Sequence, residues 1–162
     1  KDALLGEAIR TRVYEREMPV LPDEPGDALA ELTVWAHREH ANLTTHRSSI
    51  RQGMTELSER PDLSRCMAHG PKGSHAKLQK YFARLIVQKR AAKDAKPVHA
   101  AAVLLGALFA DVMSRDMMPE ALPSAKQAPA VYAGFVLRAI GYTARHTAAH
   151  RRPSAPRNRR SA

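Results

Sequence analysis

The sequence predicts an all-α fold, and three observations support that prediction. Apolar residues recur at helical spacing in most segments of the chain. No sustained two-residue alternation and no Asn-Gly or Asp-Gly turn indicates a β-hairpin. Proline and glycine cluster between the periodic segments, where they are typical of helix boundaries. At 162 residues, the chain has the length of one domain with a substantial core.

The stretch 97–142 is the most apolar part of the chain and predicts a helical hairpin. Asp111 is the only charged residue between Val98 and Met113, and a second apolar run covers 130–140. A helix with one wet face should show a polar stripe, so we expect these two helices to be covered nearly all round. A second copy would cover them in a symmetric four-helix contact; alternatively, they are the central helices of a monomeric bundle. A membrane span is less well supported, because Asp111 interrupts a run shorter than the roughly 20 residues required.

The remaining periodic segments predict five further helices, at 1–16, 27–43, 45–59, 61–69 and 74–93. Asp27 and Ser74 are the expected N-caps of two of them. The residues expected to point inward follow each segment's apolar stripe: Leu29, Leu32, Val34, Trp35, Ala36 and His40, then Ile50, Met54 and Leu57, then Leu63 and Met67, then Leu78, Phe82, Leu85 and Ile86. We expect Gly70–Gly73 to form a loop.

The net charge of +10 is unevenly distributed. Six arginines and no acid lie in the low-complexity segment 145–162, which predicts a disordered basic tail. A second block, 72–96, holds eight Lys or Arg residues against one acid, Asp94. Either block could bind nucleic acid or an acidic surface, but a solvated helix face with a disordered tail is the interpretation that we favour.

No catalytic motif is present, so we expect neither an enzyme nor a bound cofactor. His37 and His40 are spaced to share a helix face, with His46, His69 and His75 nearby in sequence, and a metal-binding helical bundle is therefore one alternative. No Cys-x-x-Cys or His-Glu-x-x-His spacing supports it, and we predict no metal site. The single cysteine, Cys66, and the lack of an apolar signal segment near Lys1 favour the cytoplasm.

A small-molecule pocket among the helices is a better-supported prediction. Such pockets are mostly apolar with a few polar groups, and aromatic and methionine side chains adapt to many ligand shapes. The candidate ligand-binding residues are Trp35, His37, Met54, Met67, Phe82, Ile86, Phe109 and Met113. Ordinary core packing is the alternative explanation for each of them.

Three features together resemble the TetR-type bacterial transcriptional regulators. The chain opens with Lys1-Asp2-Ala3-Leu4-Leu5, similar to the end of that family's DNA-binding unit. A long variable helical region follows, and two apolar helices close the chain, with Leu-Leu-Gly-Ala-Leu-Phe from Leu104 and Val-Leu-Arg-Ala-Ile-Gly from Val136. The resemblance covers most of 1–142 and implies an effector-binding, dimerising domain over 18–144, joined by 1–17 to a DNA-reading unit.

The resemblance also implies specific partners. The two closing helices would form a homodimer interface through Leu104, Leu105, Leu108, Val112, Val131, Phe135, Leu137 and Ile140. Lys1 matches a family position that contacts a DNA phosphate. The helix-turn-helix that reads operator DNA would lie before Lys1, so this chain should bind a small effector and a second copy but recognise no operator by itself.

Overall fold

The computed structural model describes residues 20–59 and 69–144, with side chains in 20–56 and 72–144, and in this part of the chain it is an all-α bundle. This confirms the predicted fold class. Five α-helices follow one another: α1 (Ala28–Thr45), α2 (Arg47–Glu59), α3 (His69–Val87), α4 (Pro97–Ser114) and α5 (Ala128–Ala139), with a 3₁₀ turn at Pro119–Ala121. Predictions for 1–17, most of 61–69 and 145–162, including Lys1, Cys66 and Met67, fall outside the described residues.

The helix α4 is the centre of the bundle, because it contacts α1, α3 and α5. It runs antiparallel to α5: the amide of Ala92, before α4, donates to Ile140 at the end of α5, whereas Tyr132 in α5 reaches Asp111 near the end of α4. The predicted hairpin is therefore present. The core is one cluster shared by α1, α3, α4 and α5, with Leu32, Trp35, Leu78, Phe82, Leu85, Leu104, Leu108, Val136 and Leu137 among its members.

Helix starts follow local chemistry. Asp27 caps α1 as predicted, since its carboxylate accepts from the amide of Ala30 at 3.2 Å. The predicted start of α3 at Ser74 is wrong, because the helix begins at His69. Pro71 lies in the first turn, where its missing N–H has no intrahelical acceptor, so proline does not prevent helix formation there.

Other differences concern the width of the buried stripe on each helix. α1 buries Ala28, Leu32, Trp35, Ala36, Glu39 and His40. Leu29 and Val34 lie off this stripe and are 48% and 54% exposed, contrary to prediction. Met54 in α2 is also half-exposed. α3 ends at Val87 rather than Lys93, because Lys89 adopts a positive φ of 55° that interrupts the helix.

Candidate functional site

The predicted ligand-binding residues do not form one group in the structure. Trp35 and Phe82 are fully buried members of the core. Ile86, Phe109 and Met113 are half-buried, on α3 and α4. His37 and Met54 are exposed, and Met67 lies outside the described residues. The sequence pattern identified apolar residues correctly, but it could not separate those that fill the core from those that face outward.

The predicted dimerisation residues also divide into two sets. Five of them are covered by this chain's own helices, so their burial requires no second copy: Leu104, Leu108, Val112, Leu137 and Ile140. Leu105 is half-buried. Val131 and Phe135 are 45% and 59% exposed on α5. The first set fills this chain's own core because apolar residues lie on two sides of α4 and of α5, and the bundle covers one side of each helix.

The second apolar side of the hairpin is open to solvent. On α4 it consists of Ala102, Val103, Gly106 and Ala110, with Leu105 and Phe109 half-buried beside them; on α5 it consists of Val131, Phe135 and Ala139. We call these residues the outer face of the hairpin. The flanking charge on α5 is Arg138, and α4 has no charged side chain between Lys96 and Asp111. Two adjacent antiparallel helices therefore expose mostly apolar or small residues.

Gly106 has a particular place on this face. A Cβ atom built there would have no heavy atom within 4 Å apart from its own helix and chain neighbours. Glycine inside a helix destabilises it by roughly 0.5–1 kcal/mol relative to alanine. Packing within the described residues thus gives no steric reason for glycine at 106, whereas close approach of another backbone would give one.

The apolar character of α4 raises the question of a membrane span. Within the described residues, α4 is long and apolar enough to cross a bilayer by length and composition, with a mean hydropathy of 1.6 over 18 residues. A third of that window is buried inside the bundle. The core helix of a folded bundle passes the same test, so the absence of a membrane partner stays a prediction.

A buried carboxylate joins three helices beneath the hairpin. Asp111 on α4 is only 1% exposed, and its carboxylate oxygens contact three side chains. His40 Nε2 on α1 lies 2.7 Å from Oδ2, and the Tyr132 hydroxyl on α5 donates to Oδ1 at 2.9 Å. Arg115, the residue directly after α4, donates to Oδ1 at 2.5 Å and to Oδ2 at 3.3 Å.

These contacts set the protonation state of the cluster. Burial acts to raise the pKa of Asp111, but hydrogen bonds from Arg115, His40 and Tyr132 outweigh it and hold that pKa below its ordinary value of 3.8. Burial and the hydrogen bond to the Asp111 carboxylate together raise the pKa of Tyr132 to about 12. The cluster is therefore a carboxylate with a neutral phenol at physiological pH.

The end of α4 is held by the corner between α1 and α2. Arg51 donates to the carbonyl of Met113 at 2.9 Å, and Arg47 forms an ion pair with Asp116. Cations are favoured at this point because the last carbonyls of a helix carry partial negative charge. His37 and His40 lie three positions apart on α1, and the structure leaves His37 exposed and buries His40 against Asp111. No group of three or more metal-ligating side chains occurs within 20–59 and 69–144.

Arg90, which follows α3, joins the segment that precedes α1 to the segment that follows α5. This guanidinium, in a residue 4% exposed, donates to the carbonyls of Pro25 at 2.8 Å and Gly26 at 2.6 Å. It also donates to the Tyr142 hydroxyl at 2.7 Å and lies over that ring, 5.2 Å from its centre. Sequence reasoning missed this role, because Arg90 stands in a basic block that otherwise resembles a solvated face.

The segment 20–26, which we call the strap, lies along α3. Lys80 donates to Asp23 at 2.6 Å, and Arg84 lies 3.4 Å from Glu24. The hydrogen bond from Lys80 lowers the pKa of Asp23. The strap and α3 enclose a cavity of about 270 Å³, lined by Val20, Leu21, Pro22, Asp23, Lys77, Lys80 and Tyr81. None of the predicted ligand-binding residues that the structure describes lines this cavity.

Comparison with protein-family models, curated proteins and solved structures gives no significant match.

Proposed function

We propose that this chain is the dimerising, effector-binding domain of a transcriptional repressor similar to the TetR type, and that the outer face of the hairpin is where two copies meet. The observation that supports the proposal is the apolar outer face, with a glycine at 106 for which the packing of the described residues gives no reason. Two such faces related by a two-fold axis would form a four-helix contact in which Gly106 lets backbones approach.

A second copy fits this surface better than a charged partner does. The outer face offers little charge for an acidic or basic surface to complement, and apolar complementarity is what homodimer interfaces favour. Phe135 is the largest side chain exposed on it, and burying it against a partner would contribute about 1.5 kcal/mol per copy.

The basic block gives weaker support to a nucleic-acid-binding module. Of its eight cations, Lys80 and Arg84 pair with acids of the strap, and Arg90 is buried. The regulatory proposal instead places DNA recognition in a helix-turn-helix outside this chain. The intact mass of the protein from its own source tests that part: it should exceed 17.9 kDa by one such unit.

The oligomeric state tests the dimer directly. Light scattering coupled to size-exclusion chromatography should give twice the chain mass at about 10 µM. Phe135→Glu and Gly106→Leu should both give the single-chain mass, because one buries a charge and the other holds the helices apart.

Matched controls distinguish a specific interface from general damage. Val34 on α1 is nearly as exposed as Phe135, and a Cβ at Gly73 on α3, like one at Gly106, has no heavy atom within 4 Å. Val34→Glu and Gly73→Leu should therefore leave the dimer intact. A wild-type chain that is monomeric at that concentration, or dimers that persist in both outer-face variants, would refute the proposed interface.

A further inference from the structure

The cavity between the strap and α3 has the features of a small binding site. It is separate from the outer face of the hairpin and from the residues at which the sequence predicted a ligand. One wall is the strap, with Val20, Leu21 and Pro22; the other is α3, with Lys77, Lys80 and Tyr81. The strap is fixed at its far end by the hydrogen bonds from Arg90 to Pro25 and Gly26.

The apolar wall of the cavity is partly exposed to solvent. Val20 is 78% exposed, and it adjoins the half-buried Leu21. The ring of Tyr81 faces them, and its hydroxyl is already used, because it donates to Glu31 at 2.6 Å. Burial, together with that hydrogen bond, raises the pKa of Tyr81 and keeps the phenol neutral. The walls thus offer hydrocarbon contact and no free hydroxyl donor.

The charge of the lining is positive. Lys77 and Lys80 contribute two ammonium groups and Asp23 one carboxylate, which forms an ion pair with Lys80. Among the described residues, no carboxylate lies within ion-pair distance of Lys77, although its charge acts to lower the pKa of the buried Glu39 on α1. The Asp23–Lys80 pair shows that a carboxylate is accommodated on this side of α3.

The volume limits the size of a ligand. The volume of about 270 Å³ lies below the range of roughly 300–1,000 Å³ that is typical of ligand pockets, so we expect a small ligand. Pockets for drug-sized molecules are usually larger.

We propose that this cavity binds a small amphipathic carboxylate, with its hydrocarbon part against Val20, Leu21 and Pro22 and its carboxylate on the Lys77 ammonium. The proposal deepens the proposed function by naming the chemical class of the effector, and its regulatory meaning rests on that function. The binding itself does not, because every lining residue belongs to a single chain.

Sodium octanoate, with ten heavy atoms, is the test ligand, and the assay is a ¹H–¹⁵N NMR titration of the full chain to about 10 mM. Small ligands of this size bind weakly, so a dissociation constant in the millimolar range is expected. Shifts should concentrate at 20–23 and 77–81. Lys77→Met keeps the length of the side chain without its charge and should weaken binding about fivefold, as expected for one partly exposed ion pair.

Two controls isolate the charge. Lys93→Met removes an exposed lysine outside the cavity and should leave the affinity unchanged. The neutral analogue 1-octanol should bind the wild type no more tightly than octanoate binds Lys77→Met. Absence of saturable shifts at the cavity, equal octanoate affinity in the wild type and Lys77→Met, or equal affinity for octanol would each overturn the proposal.

The oligomeric state of the same samples separates the two proposals. If a monomeric wild type binds octanoate, the binding site is supported and its role in a dimeric regulator is refuted. A dimer without octanoate binding would retain the proposed function and remove this ligand class.

Discussion

At the scale of single residues, Asp111 is the side chain on which the most contacts converge. Its carboxylate is fully buried, yet it has partners on α1, on α5 and at the C-cap of its own helix. An unpaired buried charge costs several kcal/mol, so the cluster is favourable only while its partners remain in place. The position of α4 relative to α1 and α5 is therefore coupled to the protonation of one group.

Asp111→Asn should destabilise the chain by about 3 kcal/mol at pH 7, because it removes the charge that Arg115 and His40 face. The lowered pKa of Asp111 means that its carboxylate contributes stability above the ordinary pKa of 3.8, and this contribution is lost as the pH falls through the lower folded value. Urea unfolding of both proteins should thus show a difference that is full at pH 7 and smaller at pH 3.

The control for this prediction is Asp116→Asn. The Asp116 side chain is 60% exposed and pairs with Arg47 and Arg51, so its loss should cost less than about 1 kcal/mol. If Asp116→Asn were as costly as Asp111→Asn, burial would not be what makes the cluster important.

Arg90→Met should loosen the strap as well as the end of α5. It leaves the carbonyls of Pro25 and Gly26 and the Tyr142 hydroxyl without their donor, at a cost of about 2–4 kcal/mol. Hydrogen exchange followed by mass spectrometry should show faster exchange in peptides spanning 20–26 and 140–143. Arg90→Lys should not restore protection, since one ammonium cannot reproduce the planar set of donors; full restoration by lysine would contradict this account.

At the scale of helices, the sequence predicted what depends on local chemistry. The cap at Asp27 and the two helices of the hairpin were identified because capping and periodicity act within a few residues. Ser74 is not a helix cap, because α3 begins at His69. Its spacing from Leu78 and Tyr81 places it on the buried face of α3. There it donates to the buried Glu39, which lies 35 positions away in sequence.

The contacts of Asp111 and Arg90 were less predictable because most of their partners are distant in sequence. Asp111 stood out as the only charge in its run, and Arg115 lies four positions later, a spacing that places both on one helix face. His40, however, is 71 positions from Asp111, and the carbonyls bound by Arg90 are 64 and 65 positions away. Such pairings depend on how the helices pack, which periodicity does not specify.

At the scale of the whole molecule, α4 has two apolar sides, and the bundle covers only one. The inner side, with Leu104 and Leu108, is completed by α1, α3 and α5. The outer side, with Val103 and Gly106, has no partner within the described residues. Since exposed apolar surface promotes association, we expect assembly to complete the burial that folding leaves unfinished.

The thermal stability should then depend on protein concentration. A dimer that unfolds to separated chains gains about 1.4 kcal/mol of stability per dimer for each tenfold rise in concentration, which corresponds to a Tm increase of roughly 2 °C for two chains of this size. Calorimetry at about 5 and 50 µM should show this increase in the wild type and none in Phe135→Glu, whose Tm should also be lower. A concentration-independent wild-type Tm would mean that the outer face contributes nothing to folding stability, because only an assembled state responds to mass action.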